Sequence, residues 1–161
     1  MENRNDLTQG SIMGKLTRFF FPILLGLLFF QLYNTIDAIV VGRFPYAHQV
    51  IDAPLDGQPA VSRVAREGAS ADASFLRVRI ETGRTNQIRR HLASVRFPIV
   101  GDRVFGLKRA RDARLLQVPR QMLHASTLTL PNPLDLRAEI KAHAPLPADF
   151  RATLRLFGMG K

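Results

Sequence analysis

The segment Phe75–Ala93 reads FLRVRIETGRTNQIRRHLA and contains one change of hydrophobic period. In FLRVRI, apolar residues alternate with arginines, which predicts a half-buried strand with a basic outer face. Thr82-Gly83-Arg84 interrupts that alternation. After the interruption three apolar residues recur at helical spacing: Ile88, Leu92 and Val95. The segment therefore predicts a strand, a turn and a helix, in that order.

Two further strands and a closing helix are predicted downstream of this segment. Residues 122–130 and 136–143 each alternate in polarity, and Pro131-Asn132-Pro133 between them favours a hairpin. Residues 150–157 return to helical spacing, whereas the small and polar residues 63–73 predict a loop or hairpin turn. We therefore expect an α+β fold with a partial mixed, largely antiparallel sheet and one or two packed helices.

Charge is concentrated in the same part of the chain. The 161 residues include 23 Lys and Arg against 13 Asp and Glu, which gives a formal net charge of +10. Most of the basic residues after position 45 are arginines, which suit bidentate phosphate contacts and stacking on bases. The composition therefore favours a polyanionic partner such as nucleic acid or an anionic membrane. The absence of cysteine excludes disulfides, thiolate metal sites and a cysteine nucleophile.

The N-terminal region has a different character. Residues 19–30 (FFFPILLGLLFF) are uninterrupted by polar groups, and the charge-free stretch 19–36 meets the lower limit of roughly 17 residues for a bilayer-spanning helix. We therefore predict a hydrophobic helix within residues 1–44 that contacts a membrane from Phe19 to Val41, and a soluble region at residues 45–161. A buried helix of a soluble core is the alternative.

The wording of this first region resembles the N-terminus of multidrug and toxic compound extrusion (MATE) transporters. The resemblance is carried by DLTQGSI at residues 6–12 and QLYNTIDAIVVGRF at residues 31–44. A transporter needs several membrane spans around a central site, and this region supplies one. Transport activity is therefore not expected.

Five ordered motifs of the second region resemble the RluA family of RNA pseudouridine synthases. The most specific is ETGRTNQIRRHLA at residues 81–93, which is similar to the family signature ETGRTHQIRxHLA. The other four are IDAPL at 51–55, PIVGD at 98–102, LHA at 123–125 and APLPADF at 144–150. The resemblance covers about residues 50–157, which correspond to the C-terminal part of the family's catalytic domain.

This resemblance implies isomerisation of uridine to pseudouridine in structured RNA, such as rRNA or tRNA, without a metal or organic cofactor. The family flips the uridine into a pocket, where an aspartate forms a transient covalent adduct. That aspartate belongs to an HRLD motif, and an active-site tyrosine belongs to a Y-x-A-x-V element. Neither motif occurs in this sequence. We therefore expect a family member that is inactive when it acts alone.

Individual residues can be matched to roles through the same motifs. Arg89 corresponds to the arginine that pairs with the catalytic aspartate, and a guanidinium there would keep the carboxylate ionised and oriented. Leu123 corresponds to the apolar residue that lines the base pocket. Arg84, Gln87 and Arg90 are expected to contact RNA phosphates, with a solvated basic face as the alternative.

Several other residues are assigned no catalytic role. The four histidines lack metal-ligand spacing, so we expect ordinary hydrogen-bonded histidines and no metal site. Asp102, in a Gly-Asp turn, is expected to bind local backbone N–H groups instead of acting as a substitute nucleophile. Asn86 stands where the family often has His, a departure that concerns the geometry of the turn.

Two further functions remain open from sequence. The arginine content is equally typical of a non-catalytic RNA-binding module. Alternatively, the first helix is the functional part of a membrane-tethered transporter fragment. For the synthase-like reading we expect a cytoplasmic location, with membrane association only through that helix.

Overall fold

The computed structural model describes residues 35–106, 113–132 and 135–160. Within them the chain forms six strands and three helices. In chain order these are β1 Thr35–Val41, β2 His48–Asp52, β3 Val61–Ala69, β4 Ala73–Ile80, α1 Gln87–Ser94, α2 Ala113–Leu116, β5 Leu123–Asn132, β6 Asp135–His143 and α3 Ala148–Leu156.

The six strands form one sheet in the order β2-β3-β4-β1-β5-β6. All five neighbouring pairs are antiparallel. Strand β1 is therefore the first described element in sequence but a central strand in space, and it is the link between the β2-β3-β4 group and the β5-β6 hairpin. The described residues thus have the α+β, antiparallel character that the sequence predicted.

The two faces of the sheet carry different elements. On one face, here called the pocket face, the buried residues Ile36, Val78 and Val64 lie in one cross-strand row. Helix α1 packs on this face through Ile88 and Leu92. On the opposite face Phe75 makes an edge-on ring contact with Phe150 of α3, with ring centres 6.0 Å apart. The sheet is therefore covered by a helix on each side.

Strand β1 corrects the prediction made for the N-terminal region. Residues Ile36–Val40 are all buried, because β1 has neighbours on both edges and packing on both faces. A strand covered on both faces shows no alternation of apolar and polar residues, so its sequence does not display the period of a strand. The predicted membrane contact from Phe19 to Val41 is therefore wrong for residues 35–41, and residues 19–34 lie outside the described part of the chain. Among the described residues, no helix has the length and apolar character of a membrane span.

The loop predicted over residues 63–73 is also corrected. Residues 63–69 continue strand β3, whose buried side chains Ser62 and Val64 are spaced two apart, and only residues 70–72 form the turn to β4. Small residues and a bulge between Arg66 and Gly68 weaken the alternation in the sequence. The other predicted elements are confirmed, namely the strand at 75–80, the helix after residue 85, the hairpin of β5 with β6 and the closing helix.

Asp37 is an unusual member of the central strand. It is 3% exposed and belongs to the opposite face, where it pairs in register with Arg77 of β4. Its Oδ1 lies 3.5 Å from Arg77 Nε and makes no hydrogen bond among the described residues. Strand alternation points this carboxylate away from the pocket face.

Candidate functional site

A cavity of about 310 Å³ opens on the pocket face where α1 meets strands β1, β4 and β5. Its volume falls within the range of small-ligand sites. Its strand side is mainly apolar and its helix side is mainly polar. The lining residues are Ile36, Ile80, Arg84, Asn86, Gln87, Ile88, Arg89, Gln121, Leu123, His124 and Ala125.

The structure brings four of the five predicted site residues to this cavity. They are Arg84, Gln87, Arg89 and Leu123. Arg84 precedes α1, Arg89 lies in its first turns and Leu123 begins β5. Because Leu123 is distant in sequence from Arg84 and Arg89, only the packing of α1 against the sheet makes it their neighbour. The cavity therefore combines basic donors with an apolar wall.

Arg89 is held by a carboxylate that sequence reasoning did not assign to it. Its Nε and Nη2 donate to the two carboxylate oxygens of Asp102 at 2.7 and 2.8 Å. The Asp102 side chain is fully buried and that of Arg89 is 16% exposed. The guanidinium also lies 4.8 Å from the centre of the Phe105 ring. The family resemblance pairs Arg89 with an aspartate of the HRLD motif, which this sequence lacks, whereas the structure pairs Arg89 with Asp102.

Both carboxylate oxygens of Asp102 are hydrogen-bonded within this part of the structure. Its Oδ1 accepts the backbone N–H groups of Val104 and Phe105 at 2.9 and 3.0 Å, as the Gly-Asp turn predicted. Burial opposes ionisation of Asp102, but the hydrogen bonds from Arg89 and from these N–H groups outweigh it and lower the pKa of Asp102. Asp102 is not among the residues that line the cavity. It is a buried anchor for Arg89.

Gly101 explains how Asp102 reaches its position. Its φ is +76°, and a Cβ at this position would lie 2.1 Å from the carbonyl oxygen of Arg120. Only glycine fits a positive φ at such close backbone approach. The Ile99–Asp102 turn therefore depends on Gly101 to direct the carboxylate at α1.

Gln87 has a structural position instead of the predicted phosphate contact. It is 3% exposed, and its Oε1 accepts hydrogen bonds from the Thr82 hydroxyl at 2.8 Å and the Arg84 N–H at 3.0 Å. Its amide nitrogen donates to the carbonyl of Val61 at 2.9 Å and to the hydroxyl of Ser62 at 3.1 Å. All four hydrogen-bonding positions of the amide are therefore used. Gln87 fixes the turn that carries Arg84.

His91 completes this buried network under α1. It is fully buried, and its Nε2 lies 3.0 Å from the carbonyl oxygen of Ala53, which can only accept. Nε2 therefore carries the proton in the neutral ring, and Nδ1 accepts from the Ser62 hydroxyl at 3.0 Å. Ser62 thus joins His91 to Gln87 and ties α1 to strand β3.

Arg90 points away from the cavity. Its Nη1 and Nη2 donate to both oxygens of Asp56 at 2.7 and 2.9 Å, and Arg90 does not line the cavity. The hydrogen bonds from Arg90 lower the pKa of Asp56. Asp56 has a φ of 53° in the turn that follows β2. Arg90 therefore anchors that turn to α1.

Comparisons with known proteins agree with the sequence motifs. An uncharacterized RNA pseudouridine synthase of Chloroflexus aurantiacus is 40% identical over 133 residues, which are 74% of this chain and 40% of that protein. Ribosomal large subunit pseudouridine synthase D of Escherichia coli is 41% identical over 101 residues, which are 58% of this chain and 31% of that protein. The chain is related to the RNA pseudouridine synthases. It spans less than half of either relative.

Solved structures show the same fold at lower identity. Human RNA pseudouridylate synthase domain containing 1 superposes with a TM-score of 0.62 at 18% identity, over 91% of this chain and 65% of the human chain. No protein-family model matches the chain. The relationship to pseudouridine synthases that the motifs indicated is confirmed. The resemblance of residues 1–44 to MATE transporters receives no support.

Three features of the site have no clear signal in the sequence. Ile36 lines the cavity from a strand that resembles a membrane segment. Asn86 and Asp102 hold Arg89 from a turn and from a separate loop. Contacts between separate loops have no period that a sequence pattern can reveal.

Proposed function

We propose that the chain is the uridine-binding part of an RNA pseudouridine synthase that is inactive when it acts alone. The observation that carries this proposal is the convergence of Arg84, Arg89 and Leu123 on one cavity. Leu123 and Ile36 provide an apolar wall for a planar base, and Arg84 provides a cation at the opening. The sequence relatives support the same chemistry.

The proposed partner is structured RNA. Two of the relatives act, by their names, on the large ribosomal subunit. The +10 charge of this chain supports a polyanion as partner. Arg84 is suited to a phosphate, because among the described residues its side chain donates only to the carbonyl of Pro59, at 3.0 Å, and forms no ion pair.

The proposed inactivity follows from the carboxylates near the cavity. No Asp or Glu is among the described residues that line it. Asp102 is occupied by Arg89 and two backbone N–H groups, and Asp37 lies on the opposite face of the sheet. A covalent adduct with uracil needs an accessible carboxylate. The printed sequence also lacks the HRLD motif.

Tritium release from RNA labelled at C5 of uridine tests the inactivity. The full 161-residue chain is expected to release no tritium above a protein-free control, whereas a complete pseudouridine synthase serves as the positive control. Release that depends on this chain and is lost in the Leu123→Arg variant would overturn the proposal of inactivity.

Salt-dependent RNA binding tests the other half of the proposal. Binding is expected to weaken as salt rises, because each neutralised phosphate releases counterions. Arg84→Gln is expected to lower the slope of log K against log salt by about 0.7 on single-stranded RNA. Arg43→Gln, the same charge change at an exposed position outside the cavity, is the matched control.

A non-catalytic basic RNA-binding module is the second candidate, and the charge of the chain favours it. Such a module would bind RNA through its charged surface, whereas the first candidate would also bind a uridine in the cavity. Leu123→Trp, which fills the cavity, would leave RNA affinity unchanged in a generally basic module and would reduce it in a uridine-binding domain. A membrane-tethered transporter fragment is not proposed, since residues 35–41 of its supposed helix form a strand of the sheet.

A further inference from the structure

Strand β2 forms one edge of the sheet, and half of its backbone groups face away from β3. At its two ends the carbonyl of Ala47 accepts a hydrogen bond at 2.9 Å, and the N–H of Ala53 donates one at 3.1 Å, both within the hairpin with β3. Because bonding alternates along an antiparallel strand, odd-numbered residues of β2 bond to β3 and even-numbered residues face outward. The outward-facing residues are His48, Val50 and Asp52. Their backbone N–H and C=O groups therefore have no partner strand among the described residues.

The side chains of the same three residues carry a self-complementary pattern. Strand alternation places His48, Val50 and Asp52 together on the face opposite the pocket face. Val50 is 50% exposed, and both His48 and Asp52 are exposed. Neither of the two polar residues forms an ion pair within the described part of the chain. The edge thus presents a basic, an apolar and an acidic side chain in that order.

We propose that β2 is a dimerisation edge, on which a second copy of this chain pairs antiparallel around a two-fold axis at Val50. In that register the two Val50 side chains lie opposite each other, and His48 lies opposite Asp52 of the second copy at both ends. All three opposed pairs are of the hydrogen-bonded kind, so each exchanges two backbone hydrogen bonds. The imidazole N–H groups donate to the carboxylates. This inference does not depend on the proposed RNA-binding function.

The order of charges selects this register over its neighbours. An axis at Asp52 would place two carboxylates opposite each other, and like charges directly opposite are destabilising. An axis at His48 would place two imidazoles opposite each other and would shorten the ladder. The axis at Val50 pairs all five residues of β2 and brings opposite charges together.

The other edge of the sheet, β6, is less suited to pairing. Its Lys141 is already paired with Glu139 of the same strand, at 3.3 Å, and an edge lysine is a common protection against strand addition. Strand β2 contains neither lysine nor proline. Pairing of β2 with itself uses the same surface on both copies, so the assembly closes at two chains instead of growing into a filament.

The proposed dimer fixes how its two cavities are oriented. Residues directly opposite in antiparallel strands project to the same face, so both pocket faces lie on one side of the joined sheet. Each β1 is three strand spacings from its own β2, and one more spacing separates the copies. At about 4.8 Å per spacing, the two β1 strands lie roughly 34 Å apart. The dimer thus presents two cavities in the same direction.

Cysteine cross-linking tests the register, because the chain contains no cysteine of its own. In a hydrogen-bonded antiparallel pair the two Cα atoms are about 5.5 Å apart, which is within the reach of a disulfide. The full chain with Val50→Cys, oxidised by copper phenanthroline in air, is expected to become mainly a covalent dimer. Ala71→Cys, at an exposed position in the turn between β3 and β4, is the matched control and should remain mainly monomeric.

Sedimentation equilibrium over a range of concentrations measures the dimer without a cross-link. Val50→Pro removes an outward N–H that β3 does not use, so the fold should persist while the dimer dissociation constant rises by about tenfold or more. Lys141→Pro, at an outward-facing position of β6, is the control and should leave that constant unchanged. His48→Asp should weaken the dimer, and His48→Asp combined with Asp52→His should restore it. Far-UV circular dichroism verifies that each variant is folded.

Several results would overturn the proposal. One is sedimentation of the unaltered chain as a single copy at every concentration. Others are a dimer that survives Val50→Pro, and equal cross-linking of Val50→Cys and Ala71→Cys, which would point to association through another part of the chain. Species larger than two copies would indicate pairing of β2 with β6 instead. Each of these results leaves the proposed RNA binding untouched.

Discussion

The Arg89 guanidinium and the buried Asp102 carboxylate face each other through two hydrogen bonds of 2.7 and 2.8 Å. This pair joins α1 to the loop that follows Gly101, at the edge of the cavity. Because Asp102 is buried and otherwise bound only to backbone N–H groups, loss of either partner leaves a buried polar group unsatisfied.

Asp102→Asn is therefore expected to lower the free energy of unfolding by about 2–3 kcal/mol. Urea denaturation followed by circular dichroism measures the change. Asp56→Asn is the matched control, since it breaks the same kind of two-nitrogen pair, with Arg90, at a carboxylate that is 73% exposed. An exposed pair contributes at most about 1 kcal/mol. Equal effects of the two substitutions would contradict the structural role assigned to Asp102.

Stability is also expected to fall in acid. Hydrogen bonds from Arg120 lower the pKa of Asp149, and those from Arg89 and the backbone lower the pKa of Asp102 against the opposing effect of burial. A lowered folded-state pKa stabilises the protein above the unfolded carboxyl pKa, about 3.9, and this stabilisation disappears as pH falls through the folded value.

Unfolding free energies measured between pH 6 and pH 2 would reveal that loss. The Asp102→Asn variant should show a shallower decline below pH 4 than the original chain, because one of the contributing carboxylates is gone. If the unfolding free energy of this variant fell as steeply with pH as that of the original chain, Asp102 would not contribute to the acid sensitivity.

Gln87→Leu is expected to lower the free energy of unfolding by about 2–4 kcal/mol. The leucine would leave four hydrogen-bonding groups without a partner, two in the Thr82–Arg84 turn and two in strand β3. Thermal denaturation measures the effect, with the exposed Gln117→Leu as control. The RNA affinity of the folded protein should not change. A lower affinity would instead favour the phosphate contact that the sequence suggested.

Gly101→Ala should be among the most damaging single-methyl changes in the chain. The added Cβ would overlap the Arg120 carbonyl oxygen at 2.1 Å, so the turn must move. Gly57→Ala has a similar φ of +73° but meets no atom within 4 Å, so it carries only the conformational cost of about 1 kcal/mol. Comparison of the two melting temperatures separates the steric cost from the backbone cost.

Ile39→Ala tests the assignment of residues 35–41 to the sheet. Ile39 is fully buried, so its truncation should lower the unfolding free energy by about 2–5 kcal/mol. Val50→Ala on the edge strand β2, where Val50 is 50% exposed, should change it by no more than about 0.5 kcal/mol. A chain insensitive to Ile39→Ala would not have β1 in its core.

Local periodicity predicts those elements that have one covered face. Strand β4 and helix α1 expose one side to solvent or to a cavity, so their sequences alternate or repeat visibly. Strand β1 has both faces covered, so its buried residues run consecutively from Ile36 to Val40 and show no alternation. The sequence of β1 is therefore ambiguous without the rest of the sheet.

The site follows the same logic. Arg84, Arg89 and Leu123 can be selected through family motifs, and the structure brings them to one cavity. The partners of these residues cannot be selected in this way. Asp102 reaches Arg89 because the positive φ of Gly101 permits the turn between them. The side-chain amide of Gln87 is already hydrogen-bonded to the turn before α1. Such pairings depend on tertiary geometry that no sequence spacing encodes.

The central position of β1 has a kinetic consequence. Residue 35 pairs with residue 127, so the backbone hydrogen bonds between β1 and β5 close a far longer loop than those of the hairpins β2-β3, β3-β4 and β5-β6. Contacts between distant parts of a chain slow folding. The hairpins are therefore expected to assemble early as two separate units, and the docking of β1 between them is expected to be the slow step of folding.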